Sequence, residues 1–426
     1  MKEAYRPRIV DSELSRRLKS VGAVLVEGAK WCGKSTTAEH HSNSAIFLSD
    51  PRRKAQYLLF AEENPELILD GATPRLIDEW QLAPMLWDAV RHTVDHRRER
   101  GQFILTGSAK PVDRSKISHS GTGRFSWLRM RPMSLFESGD SSGEVSLKAL
   151  FENPAAGIGS ETNVGLEQIA YLVCRGGWPI AVTLPDDVAL DPAKDYYSAV
   201  VNVDIREVDG VDRSVERAKR LMRSYARFQG TQTSIRQIVE DMNGGDPNVM
   251  EDKTVRNYLD VLRSMFVIED MPAWNPNLKS KTAIRTADTR YFVDPSIATA
   301  AMGLGPGDLM NDLKAFGLLF ETLCVRDLRV YSQPLGGEVY HYRDKNGLEC
   351  DAVVHLPNGN YGLIEIKLGG EALIEAGAES LKALSSKINV ERMKEPSFLM
   401  VLTAAGSFAY RRKDGVLVVP ITTLGA

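Results

Sequence analysis

Cysteine is scarce and scattered. Cys32, Cys174, Cys324 and Cys350 stand far apart, with no C-x-x-C pair. That spacing argues against a disulfide framework and a zinc ribbon and suits a reducing compartment. Long apolar runs are missing as well. No stretch reaches the roughly 18 uncharged apolar residues that a membrane span needs. The opening M-K-E-A-Y-R-P-R-I-V has no apolar core, so a signal peptide is not expected and a cytoplasmic location is. An excess of one charge is also absent. The 53 Lys and Arg nearly balance the 56 Asp and Glu, leaving a net charge of −3. Nothing in that total marks a dedicated nucleic-acid binder, although a local basic patch fits inside a neutral sum. There is no internal repeat and no low-complexity tract.

What is present exceeds one core. At 426 residues the chain calls for about two to four domains. Short apolar runs at 21–27, 45–48, 75–79 and 102–107 alternate with helical patterns such as 81–98. Such alternation predicts a parallel, doubly wound α/β sheet. This domain is expected over 1–138. Residues 138–165 are rich in Gly, Ser, Asn and acids and read as a linker or long loop, opening a helical linker or lid region over 139–230. Residues 231–305 read as a winged helix-turn-helix. S-I-R-Q-I-V-E-D-M and K-T-V-R-N-Y-L-D-V-L-R-S-M-F flank the turn-rich N-G-G-D-P-N, and Val255, Leu259, Leu262 and Phe266 recur at helical spacing. V-I-E-D-M and R-Y-F-V-D would form the wing. Lys253, Arg256 and Arg263 are the only bases on the second helix, so DNA contact and a plain packing role both remain open. The last region, 306–426, begins with a helix and continues as several strands with a second helix at 371–387.

Two stretches carry chemistry. Residues 28–35, G-A-K-W-C-G-K-S, fit the phosphate loop G-x-x-x-x-G-K-[ST], with an apolar strand before and a helix start after. Gly28, Ala29, Lys30, Trp31, Cys32 and Gly33 would wrap phosphate oxygens with backbone N–H groups. Lys34 would reach the β- and γ-phosphates, and Ser35 would ligate Mg²⁺. R-L-I-D-E-W, 75–80, supplies the acidic strand end. Asp78 would hold Mg²⁺ through water, and Glu79 would polarise the attacking water. Thr106 or Ser108, in F-I-L-T-G-S, would sense the γ-phosphate, or both simply serve the turn. Arg124, in S-G-T-G-R-F, is the candidate for a finger presented to a neighbouring subunit in a homo-oligomer; a solvated surface arginine explains the same residue. His92 and His96 lie four apart on a strongly charged helix and read as a solvated face.

The second stretch is D-x₁₃-E-x-K, with Asp351 before a P-N-G-N turn and Glu365 and Lys367 after it. Alternate strand residues share a face, so Glu365 and Lys367 point together. Asp351 and Glu365 from neighbouring strands, with Glu321 from the preceding helix, would make an oxygen-ligand Mg²⁺ site. Lys367 would activate water or stabilise charge on phosphorus. Glu349 would be another ligand or a rim residue. An edge strand of alternating charges explains the pair more blandly.

The order of motifs is itself informative. Y-R-P-R-I, G-A-K-W-C-G-K-S, L-I-D-E-W-Q-L-A-P, F-I-L-T-G-S, G-R-F-S-W-L-R-M-R-P-M-S-L-F-E, G-G-W-P, Y-F-V-D-P, F-E-T-L, H-Y-R-D-K-N-G-L-E-C-D and I-E-I-K-L-G follow one another. The chain resembles, nearly end to end, a prokaryotic family of AAA-type P-loop ATPases whose C-terminal half is a domain of unknown function with a restriction-endonuclease-like PD-(D/E)XK core. The resemblance implies ATP and Mg²⁺ at Gly28–Thr36 with Asp78 and Glu79, a winged-helix middle, and a nuclease-like site of Glu321, Asp351, Glu365 and Lys367. T-G-R at 122–124 departs from the more usual A-G-R, but the arginine survives. The expectation is an ATP-hydrolysing protein whose nucleotide state controls a DNA-directed C-terminal domain; the alternative is an ATP-dependent switch on a vestigial nuclease scaffold.

Overall fold

The computed structural model describes residues 5–109, 121–207, 210–244, 250–275, 287–388 and 393–426. Residues 245–249, within the expected helix-turn-helix turn, lie outside this set. The chain splits into two compact units. One is Met1–Pro132 with Arg206–Val211 and Val261–Val267; the other is Met133–Ile205, Asp212–Asp260 and Ile268–Ala426. Among the described residues, no helix is long and apolar enough to cross a membrane.

The first unit contains α1 (Val10–Leu18), β1 (Ala23–Glu27), α2 (Lys34–His40), β2 (Ser44–Phe47), α3 (Lys54–Glu63), α4 (Glu66–Leu69), β3 (Arg75–Asp78), α5 (Leu86–Arg97), β4 (Phe103–Gly107) and β5 (Phe125–Arg129). The strands form one parallel sheet in the order β2-β3-β4-β1-β5. Alternate residues enter opposite layers because the strand period is two. Leu25, Ile77, Leu105 and Phe125 pack with Trp80, Trp87 and Val90. Val24, Val26, Leu76, Ile104 and Leu128 pack with Val10 and Leu14 of α1 and Ala38 of α2. Both faces are covered, which is why β1 reads as a continuous apolar run. The strands' C-terminal ends therefore share one edge.

In the second unit, the stretch read as a linker is built into the fold. After α6 (Leu135–Ser138), β6 (Val145–Ser146) leads into α7 (Leu147–Glu152) and β7 (Ser160–Glu161). A helical series follows: α8 (Leu166–Arg175), α9 (Pro179–Thr183), α10 (Asp191–Ala199), α11 (Ile205–Glu207), α12 (Val215–Arg227), α13 (Ile235–Asn243), α14 (Asp252–Ser264), α15 (Pro295–Met302) and α16 (Pro306–Asn311), of which residues 206–207 of α11 and 261–264 of α14 belong to the first unit. Ser234 caps α13 with a reciprocal Gln237 contact. Val255, Leu259, Leu262 and Phe266 are buried, as the helical spacing requires. Antiparallel bridges join Ile268 to Phe292 and Met271 to Thr289. The long helix α17 (Leu313–Ser332) precedes a meander of β8 (Glu338–Arg343), β9 (Glu349–His355) and β10 (Tyr361–Lys367). Helix α18 (Glu371–Lys387) crosses over to β11 (Phe398–Thr403), parallel to β10. Then come β12 (Phe408–Arg411), β13 (Leu417–Pro420) and β14 (Leu424–Gly425). The sheet order is β7-β12-β13-β11-β10-β9-β8, and β6 pairs with β14. Leu363, Tyr361, Val353 and Val401 of the sheet pack on Ala378, Leu381 and Leu384 of α18.

Several motifs that carry the family resemblance meet at a buried arginine. Arg326 Nη1 lies 2.8 Å from Asp294 Oδ2, and Nη2 lies 2.7 Å from Asp327 Oδ1, all three almost fully buried. Asp294 Oδ2 also accepts from Gly177 N at 2.9 Å. Its Oδ1 accepts from Ser296 Oγ at 2.6 Å, and Ser296 Oγ accepts from Trp178 Nε1 at 2.9 Å. Asp327 Oδ2 accepts from Leu135 N at 2.9 Å. Thus G-G-W-P, Y-F-V-D-P and M-S-L-F-E are tied to α17. Removing one partner of so buried a network costs about 3–5 kcal/mol, because the remaining charge is stranded.

Candidate functional site

The phosphate loop follows β1 at the C-terminal edge of the first unit's sheet. Gly28 has no room for a side chain: a Cβ there would lie 2.0 Å from the Met130 carbonyl oxygen. Gly33 has φ 103°, a left-handed conformation that glycine adopts at least cost, and α2 begins directly after it. Trp31 takes a positive φ of 65° and is half exposed. Lys34 is buried, and its Nζ donates to the Ala29 carbonyl at 2.8 Å. The ammonium therefore already lies across the loop in which phosphates would sit.

Sequence reasoning left out the residue that braces this loop. Arg8 is buried and donates from Nη1 to the Cys32 carbonyl at 2.8 Å and from Nη2 to the Arg131 carbonyl at 2.9 Å. Asp11 Oδ2 accepts from Arg8 N at 2.8 Å, fixing the N-terminal strap that carries it. The signal was Y-R-P-R-I, quoted for its resemblance but given no role.

Asp78 ends β3 and accepts from Thr106 Oγ1 at 2.7 Å. The same hydroxyl oxygen accepts from Glu79 N at 3.1 Å. Glu79 has φ 57°, which turns the chain sharply. Its Oε2 accepts from Ser108 Oγ at 2.8 Å and from Gln81 Nε2. Thr106 and Ser108, expected to sense a γ-phosphate, are thus engaged with the acidic pair itself. Gln81 is a second residue that sequence reasoning missed. Ser35 and Asp78 are the oxygen donors on hand for a nucleotide-bound Mg²⁺.

Arg124 sits at the opposite end of the sheet. Its carbonyl accepts from Ala23 N at 3.1 Å, at the start of β1, whereas the phosphate loop follows the end of that strand. The separation is about 13 Å of strand. Arg124 Nε donates to Asp95 at 2.7 Å and holds that carboxyl below its usual range.

The second cluster forms where β9 and β10 meet α17 and α18. Lys367 Nζ lies 3.0 Å from Asp351 Oδ2 and 2.6 Å from Glu365 Oε2. Ile366 N donates to Asp351 Oδ2 at 2.8 Å, and Ser380 Oγ donates to Glu365 Oε1 at 3.3 Å. Glu321 Oε1 accepts from Tyr291 O–H. Burial, then the charge of Asp351, pushes Glu365 up to about 8 and Glu321 well above the carboxylate range. Burial by itself would lower Lys367, but Asp351 and Glu365 outweigh it and hold the ammonium above its ordinary value. Glu349 is exposed and pairs with Arg343 at 3.1 Å, so it belongs to the rim.

The carboxylates expected around a metal do come together, but Asp351 Oδ2 and Glu365 Oε2 are engaged by Lys367 and Glu321 Oε1 by Tyr291. Among the described residues, no group of three or more His, Cys, Asp or Glu is placed to hold a metal ion. The donor type suits Mg²⁺, whereas the arrangement does not surround one.

Comparison with known proteins divides the chain three ways. Residues 20–138 match an AAA domain. Residues 166–308 match a domain of unknown function, DUF8612, and residues 316–424 match another, DUF4143. Uncharacterized proteins of Mycobacterium bovis and Mycobacterium tuberculosis are each 22% identical over 359 residues, covering 84% of this chain and 72% of the relative. A solved Walker-type ATPase of Pyrococcus abyssi aligns with 70% of this chain and 97% of its own, at 13% identity and a TM-score of 0.43.

Proposed function

We propose that this chain, with its AAA-type domain at residues 20–138, binds ATP with Mg²⁺ and hydrolyses it, and that its nucleotide state controls a DNA-directed C-terminal unit. The observation that carries the first half is the Asp78–Glu79 network beside the phosphate loop. Lys34 and the loop N–H groups bind the phosphates. Asp78, fixed by Thr106, would help hold the metal ion together with Ser35. Glu79, fixed by Ser108 and Gln81, accepts the proton of the attacking water. The ion supplies charge neutralisation at the phosphates.

The order α17-β8-β9-β10-α18-β11, a helix and three antiparallel strands followed by a helix and a parallel strand, supports a restriction-endonuclease-like reading of the C-terminal sheet. The helices α12, α13 and α14 with the bridges at 268–271 and 289–292 support a winged-helix reading. Two readings of the cluster at Lys367 follow. In one, Asp351, Glu365 and Lys367 cleave DNA. In the other they form a closed charge knot on a scaffold that only switches, and the bridging position of Lys367 between two carboxylates favours this second reading. Plasmid DNA incubated with Mg²⁺ or Mn²⁺, with and without ATP, separates them. Cleavage lost in Asp351→Ala and Lys367→Ala assigns the site. Cleavage that persists in both variants rejects it, and no cleavage under any condition leaves the switch.

A further inference from the structure

Helix α12 has two opposite faces. Ala218, Leu221, Met222 and Tyr225 are buried on one. At 100° per residue the other face carries Arg217, Arg220, Arg223 and Arg227, all exposed, with Lys219 beside them. The helix has a single acid, Glu216, which lies 3.4 Å from Lys219. From outside the helix, Asp241 takes up Arg227 at 2.7 Å. Within the helix itself five bases stand against one acid, and Arg220 has a further contact, in a chain whose acids outnumber its bases 56 to 53.

This distribution differs from an ordinary solvated face. Surfaces usually intersperse the two signs. Here like charges follow at i, i+3 and i, i+4, from Arg217 through Arg220 and Arg223 to Arg227. Each such neighbour pair costs a few tenths of a kcal/mol in an isolated helix, and an anion laid along the face would reverse that cost. The bases are mostly arginine, whose planar fork grips phosphate oxygens in pairs. From Arg217 to Arg227 the stripe is about 15 Å long, over which a duplex presents about nine phosphate charges. Helix α14 lacks this bias, because Asp252 and Asp260 interrupt its bases.

We propose that the exposed face of α12 docks the phosphate backbone of duplex DNA through Arg217, Arg220 and Arg223. The inference rests on the DNA-directed reading of this unit and moves the main contact away from α14, the second helix of the helix-turn-helix. The test is fluorescence anisotropy of a labelled random-sequence DNA duplex with the full chain, repeated across salt concentrations. The intact protein is compared with a triple variant (R217Q, R220Q, R223Q) and with an α14 pair (K253Q, R256Q); ATP turnover serves as the folding control. The triple variant is expected to weaken binding roughly tenfold or more at about 0.1 M salt and to lower the salt slope by about 2 to 3. The α14 pair is expected to change both less. A triple variant that binds with unchanged affinity and slope overturns the α12 assignment while DNA binding itself stands. An intact protein that binds no duplex overturns both.

Discussion

Arg8 shows what one side chain does for a loop it does not belong to. It donates to the Cys32 carbonyl from one nitrogen and to the Arg131 carbonyl from the other. Charge-assisted hydrogen bonds of this kind are worth about 1.5–3 kcal/mol. Arg8→Ala is therefore expected to weaken nucleotide binding about tenfold and to make the fully buried Cys32 open to alkylation, read by peptide mapping. Arg8→Lys should restore only part, since one ammonium cannot reproduce a two-nitrogen fork. Unchanged affinity together with an inert Cys32 in Arg8→Ala would contradict the role. At this scale the sequence was legible where chemistry is contiguous. Lys34, Asp78 and Glu79 stand in or next to short motifs. Arg8 and Tyr291 act across long stretches of chain, and Gln81 acts through the left-handed turn at Glu79, so no local pattern announced their roles.

Elements depart from sequence expectation where they are short and paired at long range. The Gly- and Ser-rich stretch at 138–165 has loop composition, yet β7 adds an edge strand beside β12 and β6 pairs with β14. Two-residue strands have no periodicity to read, and their partners lie more than 240 residues away. The long apolar strands of both sheets were legible for the opposite reason. Strand β8 at the other edge carries a pH-dependent feature. His341 is buried there, Gln232 Nε2 lies 2.9 Å from its Nδ1, and Ala273 bridges to its backbone. Burial lowers its pKa from 6.5 to about 4. The folded unit thus resists a proton that the unfolded chain accepts. Its stability should be intact above pH 6.5, fall between 6.5 and about 4, and level off below that range. The loss amounts to about 2–4 kcal/mol. Denaturant titrations across this range check it, and His341→Gln should flatten the slope. An equal slope in that variant would assign the acid loss elsewhere.

For the whole molecule, the sheet of the first unit separates Arg124 from the phosphate loop of its own chain. If Arg124 serves as a finger, it does so for a second copy. ATP turnover per chain should then rise with protein concentration until assembly saturates, and Arg124→Ala should stay low throughout. Turnover that is flat on dilution into the monomeric range would contradict assembly-dependent hydrolysis. In the second unit, Arg326 of α17 ties the long helix to the segment before α15 through Asp294. The nucleotide control proposed for the second unit depends on turnover in the first. The most direct measurement is phosphate release by the intact chain and by Glu79→Gln, with bound nucleotide measured in parallel. The account predicts that Glu79→Gln retains ATP with near-normal affinity while release falls by about 10²–10⁴. Release at the intact rate in that variant would contradict it.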